Sequence, residues 1–372
     1  MFADQERDLA TLAAADRYRS LRPRTGVDFA SNDYLGLAGS DRLRAAMIEA
    51  LARGVPVGSG GSRLLRGNAP EHEILEADTA RFFGTEAALF FASGYIANTI
   101  LFATLPQRDD LIVHDALIHA SAHEGMRLTR ATCVSAAHND AGAFEDVIAT
   151  WRKAGGKGRV WIAVESLYSM DGDRAPLADI ARVADRHDAV LLIDEAHATG
   201  VFGTDGRGLA EGLDGCDNVI TLRTCGKALG CEGALLCGPA VMREFIVNRG
   251  RGFIFSTAPS PLMALAVGEA LRIMADEPGR RERLWDCVAT AERVLAPYGV
   301  AATGSQILPL ILGDAARTMH VAAAIQAAGF DVRGIRPPTV PDGTSRLRIS
   351  LTLNATAADI EALGTVLGEV LQ

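Results

Sequence analysis

The sequence predicts an α/β protein: a mainly parallel, seven-stranded sheet covered by helices on both faces, with a smaller C-terminal α/β domain. Two observations carry this. First, short apolar runs recur at 88–91, 111–114, 132–135, 160–164, 190–193, 218–221 and 233–237. Most gaps between them hold helical patterns, which is the rhythm of strands joined by crossover helices. Second, Val190-Leu191-Leu192-Ile193 is apolar at every position, as a strand buried on both faces must be. Chemistry-bearing residues gather just past it, in Asp194-Glu195-Ala196-His197, and past the next run, in Thr224-Cys225-Gly226-Lys227. In open α/β sheets that edge is where ligands bind.

The elements follow in order. Residues 5–21 are rich in Ala, Leu and Arg and read as one helix carrying Arg19. It should end near Leu21-Arg22-Pro23, because proline disfavours helix in the residue before it. Phe29-Ala30-Ser31-Asn32-Asp33-Tyr34-Leu35-Gly36-Leu37 is a turn-rich entry segment, and a helix from Asp41 to about Arg53 has an acid in its first turn. The glycine-rich 58–67 stretch lacks the spacing of either phosphate-loop signature, which leaves a mobile loop as its plain reading. His72 and Glu76 lie on the helix after it, where packing and capping suit them. Phe91-Ala92-Ser93-Gly94-Tyr95 is a strand, a tight turn and a helix start, an arrangement whose free N–H groups attract anions. Val164 to Asp173 leaves the core for a polar loop. A long helical stretch follows Pro261, and the smaller domain starts near 275. There Pro337-Pro338 stiffens a loop, and Ser345 to Ser350 alternates as a strand does. The domain expectation is 1–40 for the N-terminal helix and entry segment, 41–270 for the large domain and 271–372 for the small one.

Composition narrows the function. A chain of 372 residues that is 48% hydrophobic can fill one large or two medium cores. A net charge of −9 with no basic run of five or more argues against a nucleic-acid partner. The acids in Met1 to Asp8 do not make a signal peptide, and no apolar run approaches a membrane span. Cys133, Cys216, Cys225, Cys231, Cys237 and Cys287 include no C-x-x-C pair, so neither zinc nor a disulfide framework is indicated. Asp194 and His197 alone are half of a metal site at most, and no second pair completes them. Reduced thiols and a cytoplasmic location are the simple expectation, with Cys225 a packing residue.

The Asp, His and Lys at the strand ends form a readable set. A lysine amine condenses with an aldehyde to a Schiff base. A carboxylate beside a pyridine nitrogen favours its protonated form, and a pyridinium is the electron sink of pyridoxal phosphate (PLP). Each residue taken singly is an ordinary helix cap or surface charge; together with the Gly226-Lys227-Ala228-Leu229-Gly230 loop they point to that cofactor.

In these motifs the chain resembles the α-oxoamine synthase family of fold-type I PLP enzymes, from about Arg19 to near the C-terminus. The resemblance implies that fold, whose large domain has seven strands. It implies Lys227 as the Schiff-base lysine, Asp194 as partner of the ring nitrogen, His119 as the ring stacked on it and His197 as donor to its phenolic oxygen. Ser169, in a Ser-Met-Asp-Gly-Asp motif, would bond the cofactor. Gly94, Tyr95 and Thr224 would hold its phosphate, with Ser256 or Thr257 from the neighbouring subunit, which implies a homodimer. His138-Asn139-Asp140 matches a structural turn. Arg348 would grip the amino-acid carboxylate, Asn32 would sit near the substrate, and Thr339 and Arg19 would meet the acyl group. The chain departs from many members by a shortened stretch between Arg24 and Asp28 and by Glu232 in the lysine loop.

The Gly-Ser-Arg-Leu-Leu and Arg-Pro-Pro-Thr-Val-Pro motifs resemble the branch that condenses L-alanine with a pimeloyl thioester, with loss of carbon dioxide, in biotin biosynthesis. Whether coenzyme A or an acyl carrier protein brings the acyl group stays open. Sister activities share the PLP residues and use glycine or serine: glycine C-acetyltransferase, aminolevulinate synthase and serine palmitoyltransferase. A catalytically dead interaction subunit of this fold would lack Lys227, Asp194 or His119, all of which are present. A transcription regulator would need a further DNA-binding domain, for which the length leaves no room.

Overall fold

A computed structural model of the chain describes residues 1–21 and 23–372. These form two compact units. One joins Met1–Tyr34, Met170–Asp173 and Glu282–Gln372; the other joins Leu35–Ser169 and Arg174–Arg281. Among the described residues no helix is long and apolar enough to cross a membrane.

In the first unit the N-terminal helix is Ala3–Ala14 and buries none of its residues. This corrects the expected 5–21 helix. Asp16 turns the chain out with φ +55°, and with no apolar face buried, nothing holds the following turn helical. Arg19 therefore lies beyond the helix, in a segment tied elsewhere by Arg17 to Asp342 at 2.8 Å and by the Tyr18 carbonyl, which accepts from Arg336 Nη2 at 2.9 Å. A two-residue strand follows, β1 (Val27–Asp28).

The second unit holds the seven-stranded sheet. Its strands are β2 (Ala87–Phe91), β3 (Leu111–Asp115), β4 (Thr132–Ala136), β5 (Val160–Glu165), β6 (Val190–Asp194), β7 (Val219–Thr224) and β8 (Ala234–Gly238). They lie in the order β2-β8-β7-β6-β5-β3-β4. Every pair is parallel except those of β8, which runs antiparallel to both β2 and β7. All seven predicted runs are strands. The interior ones are mostly apolar because each is covered twice: Ala163, Leu192, Ile220 and Leu222 pack into one core, while Ile162, Leu191, Ile193 and Val219 pack into another. Side chains alternate faces along a strand, so successive residues of β6 enter different cores. Burying a Val, Leu or Ile side chain contributes roughly 1.5–3 kcal/mol, which fixes the register of β6 and with it the height of Asp194.

The helices over these cores start at recognisable caps. Ser93 Oγ accepts from Ile96 N at 3.2 Å and opens Gly94–Thr104. Asp140 Oδ1 accepts from Ala143 N at 3.1 Å and opens Ala141–Lys153. His72 Nδ1 accepts from Ala69 N at 3.1 Å at the start of Pro70–Phe83, and Glu76 on that helix pairs with buried Arg63 at 2.8 Å, the packing and capping roles expected of them. The stretch after Pro261 is a helix to Asp276.

The remaining strands belong to the first unit: β9 (Ile307–Gly313), β10 (Phe330–Asp331), β11 (Arg333–Ile335) and β12 (Ser345–Ser350). β12 lies between β11 and β9, antiparallel to each, and β10 pairs with β1. Along β12, Leu347 and Ile349 are fully buried and alternate with Arg346 and Arg348, so two arginines share one face of this sheet.

Candidate active site

The second unit gathers its polar groups at the carboxyl ends of β5, β6 and β7. Asp194 ends β6, level with Glu165 on β5 and Leu222 on β7. It follows Leu192 on the face covered by Gly94–Thr104, and from that helix Asn98 reaches it: Asn98 Nδ2 donates to Asp194 Oδ2 at 2.8 Å. The other oxygen, Oδ1, accepts from Ala196 N at 2.9 Å. Asn98 Nδ2 also donates to Ser121 Oγ at 3.0 Å, and Ser121 Oγ meets His119 Nδ1 at 2.7 Å.

His119 caps the helix Ala120–Leu128, its Nδ1 accepting from Ser121 N at 3.2 Å. A backbone N–H only donates, so Nδ1 is the acceptor nitrogen and the ring proton sits on Nε2. Burial holds His119 below its ordinary value; Asp194 pulls it up and Lys227 pushes it down. It is therefore a neutral imidazole at neutral pH. Glu165, 3% exposed, carries the opposite shift: burial, with Asp194 beside it, pushes it well above the carboxylate range, and Lys227 opposes this.

Lys227 sits in a loop closed on itself. Cys225 N donates to Gly233 O at 2.8 Å, Cys231 N to Cys225 O at 2.9 Å and Gly230 N to Lys227 O at 2.9 Å. Gly230 has φ +62°, and a side chain there would run into Leu37 and Ala38, so the loop backs directly onto the entry segment. Cys225 is fully buried, and burial raises its thiol well above the ordinary range, as suits a packing residue. The Glu232 side chain points to solvent.

Gly94 begins its helix next to Thr224 at the end of β7: a methyl on Gly94 would lie 3.5 Å from Thr224 Oγ1. The first N–H groups of a helix have no partner within it, so Gly94, half-exposed Tyr95 and Thr224 form one polar corner. His197 is buried in the turn after Asp194, and Ser169 is half-buried at the end of the segment after β5. Ser256 and Thr257 follow the short helix Arg251–Ile254. The loop they begin is pinned to the glycine-rich stretch by Ala258 N to Gly61 O at 2.9 Å, and to His72, whose Nε2 lies 2.8 Å from Pro259 O. The glycine-rich stretch is thus a fastened loop. Asp115 accepts from Leu117 N and Asn139 N and pairs with His138 Nδ1, each at 2.8–2.9 Å, the structural turn that the sequence suggested.

The first unit holds the other predicted residues. Asn32 Oδ1 accepts from Arg348 Nη2 at 3.0 Å and from Tyr34 OH at 3.1 Å, while Arg348 Nη1 donates to Ser350 Oγ at 2.6 Å. Burial raises the Tyr34 hydroxyl's pKa, against the pull of Arg348. Arg19 Nη2 donates to Thr339 Oγ1 at 3.2 Å. Arg346, on the same face of β12 as Arg348, is ion-paired to Asp171.

The cofactor candidates all lie in one unit, where Asn98 and Ser121 link Asp194 to His119 and Gly94 adjoins Thr224, and the substrate candidates pair in the other. Sequence reasoning missed Asn98, Ser121, Glu165, Tyr34 and Arg346. Asn98 stood one turn past the predicted anion site and Ser121 two residues past His119, so proximity to a singled-out residue was the available signal. The donor set fits PLP: an oriented carboxylate, a lysine amine on a closed loop, a neutral imidazole and a helix N-terminus beside a hydroxyl for the phosphate.

The comparisons agree with this chemistry. The family model for aminotransferase class I and II matches residues 24–366. An 8-amino-7-oxononanoate synthase of Anaeromyxobacter dehalogenans strain 2CP-1 is 42% identical over 98% of this chain and 94% of its own. Among solved structures, a variant serine palmitoyltransferase of S. paucimobilis with a bound PLP–myriocin aldimine superposes with a TM-score of 0.89, at 26% identity, over 99% of this chain and 97% of its own. The 8-amino-7-oxononanoate synthase of Francisella tularensis gives 0.78 at 25% identity over 92% and 97%. Pyridoxal phosphate is the cofactor, and the chain belongs to the aminotransferase class I and II family, among the PLP-dependent acyltransferases of the 8-amino-7-oxononanoate synthase kind.

Proposed function

We propose that this chain condenses L-alanine with a pimeloyl thioester, releasing the thiol and carbon dioxide and giving 8-amino-7-oxononanoate, a step of biotin biosynthesis. The observation that carries the reading is the bond between Arg19 and Thr339, 320 residues apart in sequence. Both were singled out for the acyl group, and Thr339 lies in the Arg-Pro-Pro-Thr-Val-Pro segment on which the branches of the family differ. An Anaeromyxobacter relative named for this activity is 42% identical, against 26% for the serine palmitoyltransferase, although the Francisella structure with the same name is 25% identical.

PLP, when bound, supplies an electron sink for the charge that develops at the amino acid's Cα. The residues do the rest. Lys227 would hold the cofactor through its amine and, as the free amine, would take the Cα proton. Asp194, fixed by Asn98 and Ala196, keeps the ring nitrogen protonated. The flat His119 ring would stack on the cofactor, and His197 and Ser169 would hydrogen-bond it. Gly94, Tyr95 and Thr224 hold the phosphate, with Ser256 or Thr257 of a second copy in a homodimer. Arg348, steadied by Asn32 and Ser350, takes the substrate carboxylate in the two-pronged geometry that suits a guanidinium. Arg19 meets the far carboxylate of the pimeloyl chain, delivered on coenzyme A or an acyl carrier protein.

The test is a screen of amino acid and acyl thioester pairs for released thiol. L-alanine with pimeloyl thioester should be fastest. Some turnover of glycine is expected, since one methyl group separates the two amino acids by only ~1–3 kcal/mol. Faster turnover of acetyl, succinyl or palmitoyl thioesters with glycine or serine would overturn the substrate reading. Borohydride fixation followed by peptide mapping tests the cofactor lysine, and a label on Lys153 or Lys157 instead of Lys227 would remove it from that role.

A further inference from the structure

We propose that Asn98 and Ser121 are positioning residues that join Asp194 to His119, so that the carboxylate and the imidazole are aimed as one unit. This deepens the function proposed above and rests on its assignment of Asp194 and His119 to the cofactor. Three observations carry it. Asn98 is 4% exposed and Ser121 1% exposed, so water does not supply their hydrogen bonds. Asn98 Nδ2 has two N–H groups; one goes to Asp194 Oδ2 at 2.8 Å and the other to Ser121 Oγ at 3.0 Å. With its oxygen receiving that bond, the Ser121 hydroxyl turns its own proton to His119 Nδ1 at 2.7 Å.

The direction of every bond is thereby set. The amide nitrogen of Asn98 can only donate, the hydroxyl passes the polarity on, and Nδ1 can only accept, as the bond from Ser121 N already requires. The relay adds a second, shorter donor to the Nε2–H tautomer that Ser121 N selects, and it stops the ring from turning about its Cβ–Cγ bond. It also pins Asp194 from the helix Gly94–Thr104, whose first turn is the proposed phosphate corner. One helix therefore aims the groups at opposite ends of the cofactor. An asparagine that merely filled the core would leave the histidine's tautomer to Ser121 N alone.

The experiment uses the full chain carrying Ser121→Ala or Asn98→Leu. Ser121→Ala keeps the backbone bond and removes only the hydroxyl, so it remains informative if Asn98→Leu does not fold. The first readout is ¹⁵N resonances of labelled imidazole, with His119 identified by its loss in His119→Gln, recorded without PLP and with it. Unaltered protein should show an unprotonated Nδ1 on His119. In either variant the 3.2 Å bond from Ser121 N is left to hold the ring alone, so a second population that has turned away from it and is protonated on Nδ1 should appear. The second readout is kinetic: kcat should fall roughly tenfold to a hundredfold while KM for the amino acid changes little, the scale on which outer partners orient metal-bound imidazoles. A merely structural role would lower the melting temperature and leave the tautomer in place. An unchanged tautomer in a folded Ser121→Ala, or unchanged kcat, overturns the proposal. Because the tautomer is read without cofactor or substrate, failure of the relay is distinct from failure of the substrate reading, which the thiol screen tests on the unaltered chain.

Discussion

Asp194 and Glu195 are consecutive carboxylates at the same strand end, and they face opposite sides of the sheet. Asp194 is half-buried and held by an amide and a backbone N–H. Glu195 is fully buried. It accepts from Leu209 N at 2.9 Å and Ala210 N at 3.0 Å and lies 3.7 Å from Arg223 Nη1. Arg223 is itself fully buried, bound to both oxygens of Asp214 at 2.8 and 2.7 Å and stacked 3.8 Å from the centre of the Phe83 ring. On that face charge is consumed by charge and folds the 203–214 loop onto the sheet. On the other face the carboxylate is aimed but left accessible. Residue type alone does not separate the carboxylate proposed for the cofactor from a structural one; the partners that the fold supplies do.

Four changes would break or sharpen this contrast. The largest effect should come from Arg223→Met, which leaves Asp214 and Glu195 buried without their cation. Breaking a buried pair from one side costs ~3–5 kcal/mol, and chemical denaturation should show that loss. Next is Asp194→Asn, where stability should barely move but kcat and kcat/KM should fall together, roughly a hundredfold or more, as for a preorganised electrostatic contact. Unaltered kinetics with cofactor bound would remove Asp194 from its role.

Third is Gly208→Ala. Gly208 has φ +101°, and a methyl there would fall on Glu195 Oε2. Overpacking of this kind costs about 2 kcal/mol, visible as a lower denaturation midpoint, with the kinetic constants of the folded enzyme retained.

The smallest effect is in the pH dependence of stability, where His119 and Glu195 carry opposite signs. His119 is depressed by burial, so across the window below about 6.5 the unfolded chain binds the proton and the folded chain does not. That contribution is complete above the window and fades as pH falls through it. Burial pushes Glu195 up to about 7, against the pull of Arg223. Its contribution is complete below the ordinary carboxylate range and is lost as pH rises through about 7. In melting curves across pH, His119→Gln should flatten the acid limb and Glu195→Gln the alkaline one, Glu165 retaining the rest of the latter.

The sequence by itself determined the seven strands, the parallel character of most of the sheet and the residues at its ligand-binding edge. A strand buried on both faces announces itself through consecutive apolar residues, and the first polar residues after it must lie at its end. Asp194, Thr224 and Lys227 were legible for that reason, as was Gly94 at a strand-to-helix turn. Only the tertiary structure decided which groups complete them. Asn98 meets Asp194 across 96 residues, and Arg348 meets Asn32 across 316; no local period encodes such pairings. The N-terminal helix shows the same limit from the other side. Ala and Leu content extended it to residue 21, but without a buried face its length was set by where Asp16 turned and by what Arg17 and Arg19 could reach. Local sequence fixes a strand's faces and ends because the backbone repeats every two residues. Long-range hydrogen bonds, which aim the groups proposed for catalysis, exist only after the cores on both sides of the sheet have closed.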